Sequence, residues 1–459
     1  MLDKDIANDI IFEALSLGAD FCDIFVEKSK IETLSMNSSK VKDVKSGIDF
    51  GIGIRLIYGE RAIYGYTNSG MKDDLLGLTK KLAEQYKREG RQVAAFVYKS
   101  KSKKVIASIP NRDMSLEEKI QKLHSLDQMT RSKSEIISQV NIGLSFREQQ
   151  VEIFDSEGLY MEDLRPYCRI SSTAIAKDGS DQATGMWNPG ARGGYEFFNG
   201  LDFEWIADYT AAQAVNILKA KPCPAGKMPV IIDNGFGGVI FHEACGHTLE
   251  TTSVEKKASV FWDKKGEMIA HESLSAVDDG TIDNLWGSIN VDDEGMETQR
   301  TQLIKNGKLE NFLSDRMGEI KTGHQRTGSA RRESYKYAPA SRMRNTFIEA
   351  GPHSLEELLS SMEDGLYAKS MGGGSVNPGT GEFNFSVQEG YIVKKGKLAE
   401  AVKGATLIGK GEEIMKNISM VGNNLEYAAG ICGSVSGGVP VTVGQPAIKV
   451  DEILVGGKA

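Results

Sequence analysis

Met228-Pro229-Val230-Ile231-Ile232-Asp233-Asn234-Gly235-Phe236-Gly237-Gly238-Val239-Ile240-Phe241-His242-Glu243-Ala244-Cys245-Gly246-His247 reads as a strand, a glycine turn and a helix in succession. The helix ends in two imidazoles flanking a carboxylate. Neutral imidazole is a common zinc ligand, and a Glu beside it is placed to take a proton from metal-bound water. The familiar HExxH pattern sets its histidines four residues apart, about 40° around a helix. Here the gap is five residues, which separates the rings by about 140° on a regular α-helix. A shared site therefore predicts one extra residue in the helix as a π-bulge, with Gly246 easing the distortion. An isolated HExxxH is often coincidence. The context argues otherwise: the chain has 6 His, and two of them fall here, after a strand and a glycine-rich turn.

Working outward, 459 residues are too many for one compact core and predict two or three domains. A net charge of −8 argues against nucleic acid or an anionic membrane as partner. Five cysteines (Cys22, Cys168, Cys223, Cys245, Cys432) are scattered and show no CxxC pair, which suits a reducing cytosol. The start MLDKDIANDI has no apolar signal core. No apolar run approaches the roughly 20 residues that span a bilayer. The expectation is a cytoplasmic protein.

The predicted class is α+β. An N-terminal α/β domain (residues 1–221) duplicates a helix–four strands–helix unit. A helix over 4–17 carries Ile6, Ile10, Ala14 and Leu17 on one side, with Gly18 as its stop. Strands follow at Phe21–Glu27, Ile31–Ser35, Phe50–Tyr58 and Ala62–Thr67, then a helix at about 72–88 ending at Gly90. Beyond a Lys-rich stretch (98–104), Ser115 and Glu118 form a capping box. It opens a helix, followed by strands at 138–147, 150–154, 158–162 and 167–177 and a helix at about 202–219. His124, on that first helix, reads as a packing or surface residue.

Lys221-Pro222-Cys223-Pro224-Ala225-Gly226 marks the boundary to residues 222–459. Of 50 Gly, 33 follow Pro224, and short alternating segments are separated by turns such as Asn306-Gly307 and Lys395-Gly396. That pattern predicts a turn-rich antiparallel β domain carrying the metal-site helix packed on a sheet. A second helix is capped by Ser354 and Glu357. Gly372-Gly373-Gly374 opens no helix after a strand, so a turn or close backbone approach fits better than phosphate binding.

Zinc needs a third protein ligand. Cys245, three residues from His242, and Cys432, in a glycine turn, are both open on spacing. Cys223, His271, Asp278 and Asp292 are further candidates.

From residue 242 onward the chain resembles the TldD/PmbA family of metallopeptidases, specifically its HExxxH-bearing, TldD-like members. The matching segments are HEACGHTLE (242–250), DDGT (278–281), GS-x3-DDEG (287–295), TG-x2-RRESY (327–335) and RMRNT (342–346). They continue with GATLIGKG (404–411), the Cys432-Gly433 turn and VPVTVGQPAIKV (439–450). The resemblance implies a Zn²⁺ site on His242, His247 and Cys432, with Glu243 as general base and Cys245 left to helix packing. It also implies paired subunits enclosing a chamber, either a homodimer or a heterodimer with a motif-lacking homologue.

The function expected is zinc-dependent hydrolysis of unfolded or extended peptides by a metal-activated water. The peptide would lie along a sheet edge, where β-pairing reads backbone and tolerates many side chains. His324, Arg331, Arg332 and Tyr335 are candidates for stabilising the oxyanion. Two alternatives are a non-catalytic regulatory subunit of a TldD/PmbA-type complex and a metal hydrolase acting on another bond. Metal content and hydrolysis of an unstructured protein separate the three.

Overall fold

The computed structural model describes residues 1–86, 88, 99–104, 114–377 and 380–457. Asp3 accepts a hydrogen bond from the Asp5 N–H and starts helix α1 (Lys4–Ser16), whose Ala7, Ile10, Ile11 and Ala14 are buried. Strands β1 (Phe21–Asn37), β2 (Lys40–Tyr58) and β3 (Arg61–Thr67) follow, then helix α2 (Lys72–Glu84). After the short strand β4 (Lys99–Lys104) the order recurs. Helix α3 (Leu116–Ser132) opens with the expected Ser115–Glu118 capping box. Strands β5 (Ile137–Asp155), β6 (Leu159–Asp178), β7 (Asp181–Trp187) and the two-residue β8 (Gly190–Ala191) come next. A short helix α4 (Tyr195–Asn199) and α5 (Phe203–Lys219) close the unit.

The two units form one sheet in the order β3-β2-β1-β5-β6, with β7 and β8 on β6. β1 and β5 pair antiparallel at its centre, from Asp23 opposite Asp155 to Asn37 opposite Asn141. Each unit has three principal strands rather than the four expected. Phe21–Glu27 and Ile31–Ser35 are one strand, as are 138–147 with 150–154 and 158–162 with 167–177. The polar residues between these segments break the side-chain alternation but leave the backbone ladder intact. α2 stops at Glu84, short of the expected end, and Gly90 lies outside the described residues. The Lys-rich stretch supplies β4, parallel to β6.

Past β9 (Lys221–Pro222), strand β10 (Gly226–Ile232) leads into the motif helix α6 (Val239–Ala244) and the one-turn α7 (Thr251–Val254). Strands β11 (Ala276–Asp279), β12 (Arg300–Lys305) and β13 (Lys308–Leu309), helix α8 (Arg316–Thr322), and the pair β14 (Ala330–Arg331) and β15 (Ala340–Ser341) precede β16 (Asn345–Ile348). Helix α9 (Leu355–Ser360) carries the Ser354–Glu357 capping box. Strands β17 (Asp364–Val376), β18 (Glu382–Lys394), β19 (Lys397–Lys403) and β20 (Thr406–Lys410), helix α10 (Gly411–Lys416), and strands β21 (Ile418–Val421), β22 (Glu426–Ser434), β23 (Gly437–Gln445) and β24 (Ile448–Gly456) complete the chain.

The pairings β17-β10-β24-β20-β18 close on themselves through β17–β18, making a five-stranded barrel. A second sheet runs β13-β12-β11-β16-β23-β22, with β22 at its edge. Pairing is antiparallel except for β10–β17, β16–β23 and β9–β19. The motif helix lies between barrel and sheet. Val239, Ile240, Phe241 and Ala244 share one core with Val230, Phe385 and Val450 of the barrel and Ala276 and Ile348 of the second sheet.

Buried ion pairs tie the N-terminal sheet to the loops of residues 287–295. Arg55 bridges Asp23 and Glu294, and Arg165 bridges Asp163 and Asp293. No helix among the described residues is long and apolar enough to cross a membrane.

Candidate metal centre

The glycine turn before α6 is a matter of space. A Cβ on Gly238 would sit 2.7 Å from the Gly444 backbone, and one on Gly237 would meet Gln445 at 2.6 Å. Bare backbone at both positions lets the motif helix settle directly on β23.

The predicted π-bulge does not form; the α-helix breaks instead. α6 ends at Ala244, Cys245 takes φ −126° and ψ −48°, and Gly246–Leu249 continue as a 3-10 turn. The break supplies the rotation that a five-residue spacing requires. It brings the two rings to 5.0 Å between centroids at 84°. Gly246 does not serve the distortion as expected, because its φ is not positive. Its role is close approach: a Cβ there would lie 2.3 Å from the Met343 sulfur. Gly246→Val should therefore cost about 1–3 kcal/mol through overpacking, measured by chemical denaturation.

His242 Nε2 and His247 Nε2 each lie 3.2 Å from Cys432 Sγ. The three donor atoms fall within 4.8 Å of one another. Thiolate and imidazole ligands on a tetrahedral zinc ion, with bonds of ~2.3 and ~2.0 Å, stand about 3.6 Å apart. Two ring nitrogens converging on one sulfur thus form a face of the right size, and an N₂S donor set suits a borderline-soft ion. Burial raises the Cys432 thiol, but His242 and His247 outweigh it and bring the pKa down to about 5. His247 loses basicity to burial and regains more from Glu250 and Cys432, ending well above the ordinary imidazole range.

The supporting contacts were not foreseen in the sequence. Glu250 Oε2 lies 3.1 Å from His247 Nδ1, while its Oε1 accepts from the Met343 N–H. Arg342, fully buried, donates to the Cys432 carbonyl, the Ser436 hydroxyl and the Gly437 carbonyl. It pins the β22–β23 hairpin that carries the thiol. Both residues lie in quoted segments, Glu250 in HEACGHTLE and Arg342 in RMRNT, but spacing alone does not connect them to the site. Glu243 is partly exposed, at 29% of its side-chain surface, and its Oε2 lies 3.8 Å from His247 Nε2.

His242 and Glu243 open on a cavity of about 780 Å³ between the two halves of the chain. Its walls include Trp187, Tyr209 and Phe236, the backbone of Gly372-Gly373, and residues 428–431 of the edge strand β22. Gly372-Gly373-Gly374 belong to β17, a strand rather than a turn; the expected close backbone approach is present at Gly374, where a Cβ would lie 2.2 Å from the Asn384 carbonyl oxygen, while Gly373 faces open space.

The other candidates lie elsewhere. Cys245 is fully buried in the apolar core, its thiol pushed up to about 12 by burial. Cys223 packs in the same core, His271 bonds Ser273, Asp278 pairs with Arg344, and Asp292 caps the 294–296 turn. Arg331 donates to the Met343 and Pro440 carbonyls, and Arg332 to Asp293 and Tyr64. Tyr335 bonds Asp49, and His324 packs at a tilt against Phe312. These four candidates for the oxyanion have structural partners and do not line the cavity.

The chain matches the PmbA/TldA metallopeptidase models over residues 22–85 (domain 1), 109–218 (central domain) and 225–457 (C-terminal domain). It is 36% identical to the metalloprotease TldD homolog of Haemophilus influenzae, over 97% of this chain and 95% of that one. It is 28% identical to the zinc metalloprotease TldD homolog of Saccharolobus solfataricus, over 97% and 99%. A crystal structure of TldE from Thermococcus kodakarensis superposes with a TM-score of 0.77 at 18% identity, covering 98% of this chain and 99% of that one. A Thermotoga maritima structure, named a candidate modulator of a DNA gyrase, gives a TM-score of 0.81 at 21% identity, over 99% and 100%.

Proposed function

The chain belongs to the PmbA/TldD metallopeptidase family, and from that premise we propose that it is a zinc-dependent peptidase acting on unfolded or extended peptides. The observation that carries the reading is the convergence of His242 Nε2, His247 Nε2 and Cys432 Sγ beside a cavity that His242 and Glu243 line. These three residues would hold the ion, which supplies Lewis acidity to the peptide carbonyl and makes water a stronger acid.

Glu243 does the proton work. Its carboxylate, close to the donor atoms and reachable from the cavity, accepts a proton from the attacking water. The water oxygen bonds the carbonyl carbon, the C–N bond breaks, and Glu243 returns the proton to the leaving amine nitrogen. Glu250 holds the His247 ring by its Nδ1–H, so that Nε2 stays a donor towards the site. The edge strand β22 offers backbone to an extended peptide, which would bring the scissile bond alongside the strand that bears Cys432.

Hydrolysis of an unstructured protein such as casein by protein carrying one equivalent of zinc tests the reading. Zinc-loaded protein that leaves such substrates intact contradicts it and favours the regulatory alternative. Glu250→Gln, which weakens the orientation of His247, should lower zinc affinity about 10- to 100-fold, read by competition with a chromophoric chelator.

A further inference from the structure

Among the described residues lining the cavity, the charged ones are Glu243 and Arg169, apart from the imidazole of His242. Arg169 stands on β6 opposite Gly190. Its guanidinium lies over the Trp286 ring, 5.6 Å from the centroid. A Cβ on Gly190 would fall 2.7 Å from that indole, so the ring rests directly on backbone. The indole Nε1–H in turn donates to the Gly430 carbonyl at 2.8 Å. Gly430 is two residues before Cys432, about 7 Å along a strand. One rigid indole thus fixes the guanidinium relative to the strand that carries the thiol.

What Arg169 lacks is an anion. Arg55, Arg165 and Arg344 each have carboxylate partners, and Arg331 and Arg342 bond carbonyl groups. Among the described residues no carboxylate or carbonyl holds Arg169, and burial alone lowers its pKa. The side chain is half-buried and faces the cavity, and its planar fork matches a carboxylate with two parallel hydrogen bonds.

We propose that Arg169 receives a carboxylate of the peptide substrate and thereby selects which bonds are presented to the site. The carboxylate is either the α-carboxylate at the peptide's C-terminus or an Asp or Glu side chain. The inference rests on the peptidase reading and adds a specificity residue to it. A C-terminus held here places bonds near that end of the peptide beside the donor cluster.

Binding of labelled peptides to zinc-loaded Glu243→Gln protein, followed by fluorescence anisotropy, tests the proposal without turnover. One peptide has no acidic residue and a free C-terminus; the second is the same sequence as the C-terminal amide; the third is the amide with one internal Glu. A carboxylate-bearing peptide should bind about tenfold more tightly than the neutral amide. Which of the two carboxylates confers the gain identifies the source. Arg169→Gln should abolish the gain and Arg169→Lys keep part of it, with thermal melts establishing that both variants fold. Equal binding of all three peptides, or a carboxylate preference that survives Arg169→Gln, overturns the proposal. Hydrolysis of the neutral amide by wild-type protein reports on the peptidase reading separately.

Discussion

Glu243→Gln is expected to lose about 10²- to 10⁴-fold in kcat while retaining its metal. Glutamine keeps the size and polarity of the side chain but cannot accept the proton of the attacking water. None of the three converging donor atoms belongs to Glu243, so zinc content should stay at the wild-type level. KM should change little, because the carboxylate acts on water rather than on the peptide. Parallel assays of casein hydrolysis and bound zinc check this. If the variant loses zinc along with activity, Glu243 helps to hold the ion and its assignment as the proton carrier fails.

The second large effect concerns the thiol. Cys432→Ser should strongly weaken zinc retention and lower the unfolding temperature, whereas Cys245→Ser should leave zinc content nearly unchanged. Sequence spacing left both cysteines open, but the structure places them in different surroundings. Cys245 sits in a fully apolar environment that pushes its thiol up to about 12. Cys432 meets both imidazoles, and its pKa falls to about 5. Because Cys432 lies 185 residues beyond His247, its ligation would tie the β22–β23 hairpin to the motif helix. The unfolded chain has no such site, so binding energy becomes folding energy. At free zinc 1,000-fold above Kd the contribution is about 4 kcal/mol. Bound zinc and thermal melts of the two variants, measured side by side, decide between them. An emptied Cys245→Ser protein beside a loaded Cys432→Ser protein reverses the assignment.

Local rules carried a good part of the fold. Ser115 with Glu118, and Ser354 with Glu357, announce helices that form with both capping hydrogen bonds in place. The hairpin turns at Asn306-Gly307 and Lys395-Gly396 are also present, with positive φ at all four residues. Long-range pairing was not legible in the same way. The stretch Lys40–Ser46 is exposed, and its Val41 and Val44 do not alternate with the strand period, yet it is strand because β1 pairs with it, across a bulge at Lys42. The barrel closes because β17, besides its hairpin with β18, runs parallel to the distant β10, a contact that no local pattern encodes.

At the site, the HExxxH spacing correctly demanded that the helix be distorted. Its form was not legible, and neither was the close approach of Met343 to Gly246, which comes from a distant segment. Nothing local marks Arg169: its place in the wall without a carboxylate partner is a property of the assembled cavity.

His242, His247 and Cys432 together should hold one zinc ion. Anomalous diffraction from crystals of protein purified without chelator, recorded on either side of the zinc edge, addresses it directly. A single peak per chain is expected, about 2.0–2.1 Å from the two Nε2 atoms and about 2.3 Å from the Cys432 sulfur. A zinc peak bonded to other residues, or zinc-soaked crystals with no peak between these three side chains, would contradict it.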